Sequence, residues 1–160
     1  MVQKILIFKF LFLILLLDSN ILNAKNIEGY PKIIDGDTLH INNIKIRLHG
    51  IDAPEKNQKC NFNKKQWLCG KQSANELRKI INNKIVECIS NKVDIYKRYI
   101  AVCFVNQINI NKTMVKKGWA IAYRYYSKDY IMDEKYAREN KLGIWKGSFL
   151  EPYLYRKKNK

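Results

Sequence analysis

The chain has 160 residues, enough for one domain with a single hydrophobic core and too few for two ordinary domains. It carries 30 Lys and Arg residues against 14 Asp and Glu residues, which gives a net charge of +16 at pH 7. This excess of positive charge favours a polyanionic partner, although a composition rich in Lys, Asn and Ile also arises without one.

The first 24 residues differ from the rest of the chain. A short basic start precedes the apolar run 5–17, which only Lys9 interrupts, and Ala24 offers a small residue for cleavage. At about 1.5 Å per residue this run spans about 20 Å, short of the roughly 30 Å hydrocarbon core of a membrane. We therefore expect an export signal at residues 1–24 and a secreted or periplasmic protein. An uncleaved membrane anchor is the alternative.

Three strands are predicted next, at residues 30–35, 38–42 and 44–50, because these runs are rich in β-branched residues and the last alternates apolar and polar side chains. Asn42 and Asn43 tolerate a positive φ, so the second and third strands should form a tight hairpin. Residues 50–55 form a turn that contains Pro54, and the polar stretch that follows, up to residue 70, indicates a loop.

From Lys71 the apolar residues recur with helical spacing, which predicts an amphipathic helix. Its apolar face consists of Ala74, Leu77, Ile80 and Ile81. Strands are predicted again at 84–90 and 99–105, joined by a charged turn at 91–98.

Two further helices follow, one capped by Asn111 and ending at Lys117, the other running from Asp129 to near Gly143. The basic tail at 151–160 is expected to be frayed. Five strands with about three flanking helices predict an α+β fold, an OB-like five-stranded barrel, in one domain over residues 25–150.

The four cysteines are even in number and follow an export signal, which indicates disulfides. Three pairings are possible. We favour Cys60 with Cys69, which closes a short loop, and Cys88 with Cys103, which lie on two predicted strands that flank a turn. Zinc binding is disfavoured because no C-x-x-C motif occurs.

Two pairs of carboxylates are placed so that the hairpin can bring them together. Asp35 and Asp37 are two apart, so on an extended chain they project to the same face. Asp52 and Glu55 follow the hairpin, in a turn held by a rigid proline. Such a cluster selects a hard cation, calcium or magnesium, and Arg47 on the polar face of the third strand is suited to grip a phosphate.

Several short motifs occur in order along the chain: IDGDT at 34–38, RL at 47–48, DAPE at 52–55, DIYKR at 94–98, GWA at 118–120 and GIW at 143–145. Together they resemble the thermonuclease (staphylococcal-nuclease-like) family over roughly residues 30–150. The first motifs, at this separation, are highly specific to it.

The resemblance implies a role for each matching residue. Calcium would be bound by the carboxylates of Asp37 and Asp52 and the carbonyl of Ala53, and Glu55 would be the general base. Arg47 and Arg98 would hold the scissile phosphate, and the residues expected to contact the substrate are Tyr96, Tyr123 and Tyr125. One departure stands out: Lys97 occupies a position where the family usually has Gly, and a positive φ there would be costly for Lys.

The resemblance further implies an exported, calcium-dependent nuclease that hydrolyses the phosphodiester bonds of DNA, RNA or both with little sequence preference and leaves 3′-phosphate products. Two alternatives stay open: a catalytically silent OB-like nucleic-acid-binding module, and a lysine-rich domain that binds an acidic cell envelope or lipid surface. We expect a monomer, with membrane contact only through an uncleaved N-terminal segment.

Overall fold

The structure is a computed structural model that describes residues 24–159. The expected export signal lies outside the described residues except for Ala24, so its outcome stays a prediction. Across the described part of the chain, no helix has the length and apolar character needed to cross a membrane.

One curled, mixed sheet forms the body of the molecule. Its strands are β1 (Lys25–Gly29), β2 (Lys32–Ile33), β3 (Thr38–Ile41), β4 (Ile44–Leu48), β8 (Val86–Val93), β9 (Tyr99–Val105) and β10 (Ile108–Asn109). Their order is β1-β8-β9-β4-β3-β2, and β10 pairs with β9. Neighbours are antiparallel except β4 and β9, which are parallel.

Two small strand pairs and four α-helices complete the fold of residues 24–159. The pairs are β5 (Ile51–Asp52) with β11 (Ile121–Ala122), and β6 (Cys60–Phe62) with β7 (Lys65–Trp67). The helices are α1 (Cys69–Ile81), α2 (Ile110–Lys116), α3 (Ile131–Glu139) and α4 (Pro152–Lys158), with a 3-10 turn at Gly143–Lys146. The sheet curls into a half-barrel with helices outside it, which confirms the predicted OB-like α+β fold.

The core follows the alternation predicted for the strands. Ile46 and Leu48 of β4 are buried, whereas Arg47 between them points to the other face. The helix predicted from Lys71 buries Ala74, Leu77 and Ile81 against the sheet. Asn42 and Asn43 both have a positive φ, as expected of the tight turn between β3 and β4.

Both disulfides have the pairing favoured from the sequence. Cys88 lies directly opposite Cys103 on β8 and β9, and their bridge is buried in the core. The bridge from Cys60 to Cys69 joins β6 to the first residue of α1. The stretch up to residue 70, predicted to be a loop, therefore contains a covalently closed hairpin.

Three other expectations are corrected. The sheet has seven strands because β1 and β10 join the five predicted ones. The cap of α2 is Asn109, whose side chain accepts from the Lys112 N–H at 2.8 Å, and Asn111 is instead buried. The Asn111 side chain bonds to the backbone of His49, Ala101 and Cys103. The tail, expected to be frayed, contains α4.

Candidate active site

The β3–β4 hairpin brings two buried carboxylates to one end of the sheet. Asp37 directly precedes β3, and its carbonyl accepts a hydrogen bond from the Leu48 N–H at 2.8 Å. Asp52 ends β5, which follows β4 after a two-residue turn. The side chains are 5% and 0% exposed, so their negative charges need partners inside the protein.

Arg47 bridges these two carboxylates. Its Nη1 pairs with Asp37 Oδ1, and its Nη2 donates to Asp52 Oδ1 at 2.7 Å and to the Ile51 carbonyl at 3.3 Å. Burial lowers the pKa of Arg47, and attraction to Asp52 and Asp35 opposes that shift. Arg47 thus compensates buried negative charge as well as lying where a phosphate could be held.

Asp37 is fixed by short contacts to the neighbouring backbone. Its Oδ2 accepts from the Ala53 N–H at 2.6 Å, and its Oδ1 accepts from the Thr38 hydroxyl at 3.0 Å. The stretch from Asp35 to Asp37 is a bend and not the extended strand end that we expected, because Asp35 Oδ1 accepts from the Asp37 N–H at 3.0 Å. Burial raises the pKa of the Asp35 carboxyl.

Glu55 is held by the loop behind it. The buried Gln58 side chain accepts from the Glu55 N–H at 3.1 Å, and the Gln58 N–H donates to the Glu55 carbonyl at 2.7 Å. The start of α1 presses on the same point: a Cβ on Gly70 would lie 1.7 Å from the Glu55 carbonyl oxygen. Only glycine allows this approach, which fixes Glu55 at the rim of the site.

Arg98 lies in the turn between β8 and β9. Its Nε donates to Asp94 Oδ2 at 2.8 Å, and its Nη2 forms an ion pair with the same oxygen at 2.8 Å. Asp94 Oδ1 accepts from the Tyr96 and Arg98 N–H groups at 2.9 Å. Partial burial acts to raise the pKa of Asp94, but the hydrogen bonds and the charge of Arg98 lower it below its usual value. Lys97 does adopt a positive φ, of 60°.

A groove of about 520 Å³ opens beside Asp52, between β11, α3 and the segment that leads into α4. The aromatic residues that line it are Tyr123, Tyr125, Trp145, Phe149 and Tyr153. Burial and the nearby Asp52 charge raise the pKa of Tyr123. Tyr125 is 84% exposed. Tyr96 does not line the groove: it lies in the turn between β8 and β9, with its ring against the Arg98 guanidinium.

Three contributors to the site escaped the sequence analysis. Arg156 of α4 donates from Nη1 and Nη2 to the two oxygens of Asp52, at 2.9 and 3.1 Å, and from Nη1 to Glu55 Oε1 at 2.9 Å. Gln58 supports Glu55. Buried Glu134 accepts from the Ala122 N–H at 3.0 Å and pairs with Arg124 at the groove. No local pattern marks these residues.

The donors of the site suit a hard cation. Within residues 24–159, no group of three or more His, Cys, Asp or Glu side chains is arranged to hold a metal ion. Guanidiniums stand among the carboxylates, Arg47 between Asp37 and Asp52 and Arg156 between Asp52 and Glu55. The carboxylate oxygens and the neighbouring Ala53 carbonyl are nevertheless the ligand types that calcium prefers, so by donor chemistry these residues fit it.

Comparison with known proteins identifies the family of this chain. Residues 45–147 match the model of the family described as staphylococcal nuclease homologue. An uncharacterized endonuclease of Haemophilus influenzae is 35% identical over 164 residues, which cover 95% of this chain and 87% of that protein. A micrococcal nuclease of Shigella flexneri is 31% identical over 147 residues, or 81% of this chain and 79% of that protein. Because the family match alone extends over more than half of the sequence, the chain belongs to the staphylococcal nuclease family.

Proposed function

We propose that this chain, a nuclease of the staphylococcal nuclease family, is exported and hydrolyses phosphodiester bonds of DNA, RNA or both with calcium as its cofactor. The observation that carries the proposal is one cluster, in which Arg47 joins Asp37 to Asp52 and Arg156 joins Asp52 to Glu55. Asp52 also lines the groove. Calcium would be held by Asp37, Asp52 and the Ala53 carbonyl. When bound, it would offset the negative charge that develops on the phosphoryl oxygens.

The remaining chemistry belongs to the side chains of this chain. Glu55, 33% exposed at the rim, would take the proton from the attacking water. Arg47 and Arg98 would hold non-bridging phosphate oxygens with their guanidinium forks. Cleavage of the bond between phosphorus and the 5′-oxygen would leave a 3′-phosphate and a 5′-hydroxyl.

The groove supports a nucleic-acid substrate read with little sequence preference. Tyr123 and Tyr125 offer aromatic faces to bases, and every base has a face that can stack. Arg124 and Arg138 also line the groove and add positive charge for the phosphate backbone.

Glu55→Gln tests this function. The variant keeps the size of the side chain and removes the base, so release of acid-soluble nucleotides from DNA and RNA should fall about 100- to 1000-fold in calcium. Calcium, magnesium and a chelator are compared, and the new ends are assigned as 3′-phosphate or 3′-hydroxyl. Glu28→Gln is the matched control because Glu28 is exposed on β1, outside the site.

Near-normal rates for Glu55→Gln would remove Glu55 from the mechanism. Arg47→Ala is a less clean test than Glu55→Gln, because it leaves the buried charges of Asp37 and Asp52 uncompensated. Breaking a buried pair in this way costs about 3–5 kcal/mol of stability.

A catalytically silent nucleic-acid-binding module is the second candidate. The observation that favours it is the position of the Arg98 side chain, whose hydrogen bonds go to Asp94 in its own turn and not to the carboxylate cluster. Salt-sensitive binding of DNA without cleavage in calcium or magnesium would support this candidate over the nuclease.

Export is proposed from the N-terminal segment. In support, the first strand of the fold begins at Lys25, the first residue after the expected cleavage point. Mass spectrometry of the protein from culture medium and periplasm would then find an N-terminus at Lys25. An intact Met1 in the membrane fraction would indicate an anchor instead.

A further inference from the structure

The C-terminal helix places an arginine inside the carboxylate cluster. Arg156 on α4 donates two hydrogen bonds to Asp52, one to each carboxylate oxygen, and one to Glu55. The Asp52 side chain is fully buried, and that of Arg156 is 33% exposed. Two-pronged bonds of a guanidinium to a carboxylate are among the stronger side-chain contacts in proteins.

The segment that leads into α4 is anchored independently of Arg156. Ser148 and Asn61 exchange two backbone hydrogen bonds, at 2.8 and 3.0 Å, and the Gln58 side chain donates to the Leu150 carbonyl at 2.6 Å. Pro152, the first residue of α4, is buried. Gln58 also holds the Glu55 N–H, so one side chain joins the tail to the loop of the expected general base.

The oxygen atoms to which Arg156 donates hydrogen bonds are the ones that the proposed reaction needs. Oδ1 of Asp52 accepts from Arg47 and Arg156, and Oδ2 accepts from Arg156. Glu55 Oε1 also accepts from Arg156. A guanidinium and a divalent cation repel each other and cannot use the same lone pairs, so a cation at Oδ2 of Asp52, whose hydrogen bond comes from Arg156, requires that bond to break.

We propose that α4 is an autoinhibitory latch, in which Arg156 occupies Asp52 and Glu55 in the calcium-free protein and calcium binding releases it. This inference rests on the proposed function, because it assigns Asp52 to the calcium site and Glu55 to the base. Residues 152–158 lie beyond the family match, which ends at residue 147. The latch therefore lies outside the part of the chain that the family model describes.

The latch has two consequences that can be measured without activity. Calcium must compete with Arg156 for Asp52, so removing the guanidinium should tighten calcium binding. Releasing Arg156 should also loosen α4, a helix of seven residues that is too short to be stable by itself in water. Its backbone N–H groups should then exchange faster with solvent.

The first test is calcium titration calorimetry of the purified protein and its Arg156→Ala variant. We expect the Kd for calcium to fall about tenfold, since the lost bonds involve charged groups. Lys157→Ala is the matched control, because it removes one positive charge from the same helix at an exposed residue. Asp52→Asn should abolish the binding.

The second test is hydrogen–deuterium exchange at residues 152–159. Calcium should speed exchange there in the unmodified chain, whereas Arg156→Ala should exchange fast with or without calcium.

The outcomes separate the latch from the calcium site. Calcium binding that is lost in Asp52→Asn but has an unchanged Kd in Arg156→Ala would overturn the latch alone. No calcium binding by any variant would overturn the calcium site, and the latch with it. If Arg156→Ala raised the KM for DNA and left the calcium affinity unchanged, Arg156 would be a phosphate-binding residue and the latch would be overturned.

Discussion

At the scale of one residue, Lys97 occupies a backbone position that suits glycine. Its φ of 60° is a left-handed conformation in which the Cβ of an L residue is crowded. The turn persists because the Asp94 side chain accepts from two backbone N–H groups and from the Arg98 side chain. Strain at Lys97 is therefore offset by the hydrogen bonds that hold Arg98 to Asp94.

Lys97→Gly should stabilise the protein. Glycine adopts this φ without the Cβ penalty of about 1–2 kcal/mol. Its greater freedom in the unfolded chain cancels about 0.5–1 kcal/mol of that gain. We expect the free energy of unfolding in urea to rise by about 0.5–1 kcal/mol. Lys97→Ala, which loses the side chain but keeps the Cβ, should show no gain; an equal gain in both would place the effect in the lysine side chain.

The Asp94 carboxylate gives this turn a defined response to pH. Its pKa is below the ordinary 3.8 in the folded protein, so it contributes stability above about pH 3.8 and loses it as the pH falls through the lower folded value. The free energy of unfolding of Asp94→Asn, measured beside the parent protein, should be lower by a constant amount from pH 7 to about pH 5. The difference should shrink below pH 3.8. A difference that grows on acidification would contradict the shift.

At the scale of elements, the β6–β7 hairpin and the start of α1 form the support of Glu55. The Cys60–Cys69 disulfide joins them, and the Gly70 N–H donates to the Gln58 carbonyl at 3.2 Å. Gln58 in turn holds Glu55. The other disulfide, Cys88–Cys103, lies within the sheet and supports no catalytic residue directly.

The two disulfides should therefore separate activity from stability. Replacing Cys60 and Cys69 by Ala should lower turnover, because the loop of Glu55 gains freedom, and should cost about 2–4 kcal/mol of stability. Replacing Cys88 and Cys103 by Ala should cost a similar amount of stability and leave the turnover of the folded protein near normal. Both rates are measured well below each melting temperature. Equal losses of turnover would show that the hairpin does not position Glu55.

At the scale of the whole molecule, positive charge sets how nucleic acid is bound. The first 24 residues hold Lys4, Lys9 and Asp18, so residues 25–160 keep a net charge of +15 out of the total of +16. Such charge attracts the phosphate backbone irrespective of sequence and releases counterions on binding. Charge alone does not determine where the substrate lies. The groove beside Asp52 would position it.

Binding of DNA by Glu55→Gln should fall steeply with salt. If about six phosphates of a duplex are contacted, the affinity falls on the order of 10³-fold between 50 and 200 mM salt. Fluorescence anisotropy with several labelled duplexes of different sequence measures this fall. A weak salt dependence, or affinities that differ strongly between sequences, would contradict binding through the backbone.

Much of the fold could be predicted because it follows from local rules. Period-two alternation identified β4 and the face that carries Arg47, and two asparagines that tolerate positive φ identified the hairpin. The helical spacing of apolar residues identified α1. The order and spacing of the motifs predicted that Asp37, Arg47 and Asp52 meet, because a tight hairpin leaves little freedom in how its ends approach.

The amino-acid sequence by itself thus determined the family and the OB-like fold, and it favoured the two cysteine pairs that the structure contains. The roles of the site residues stay predictions. Only the tertiary structure decided what surrounds them. Arg156 and Asp52 are 104 residues apart, and Gln58 and Leu150 are 92 apart. Contacts over such separations leave no periodicity or short motif in the chain, because they depend on how the curled sheet, the disulfide-bonded hairpin and α4 pack together. The basic tail, which its composition predicts to be frayed, therefore supplies an arginine to the centre of the site.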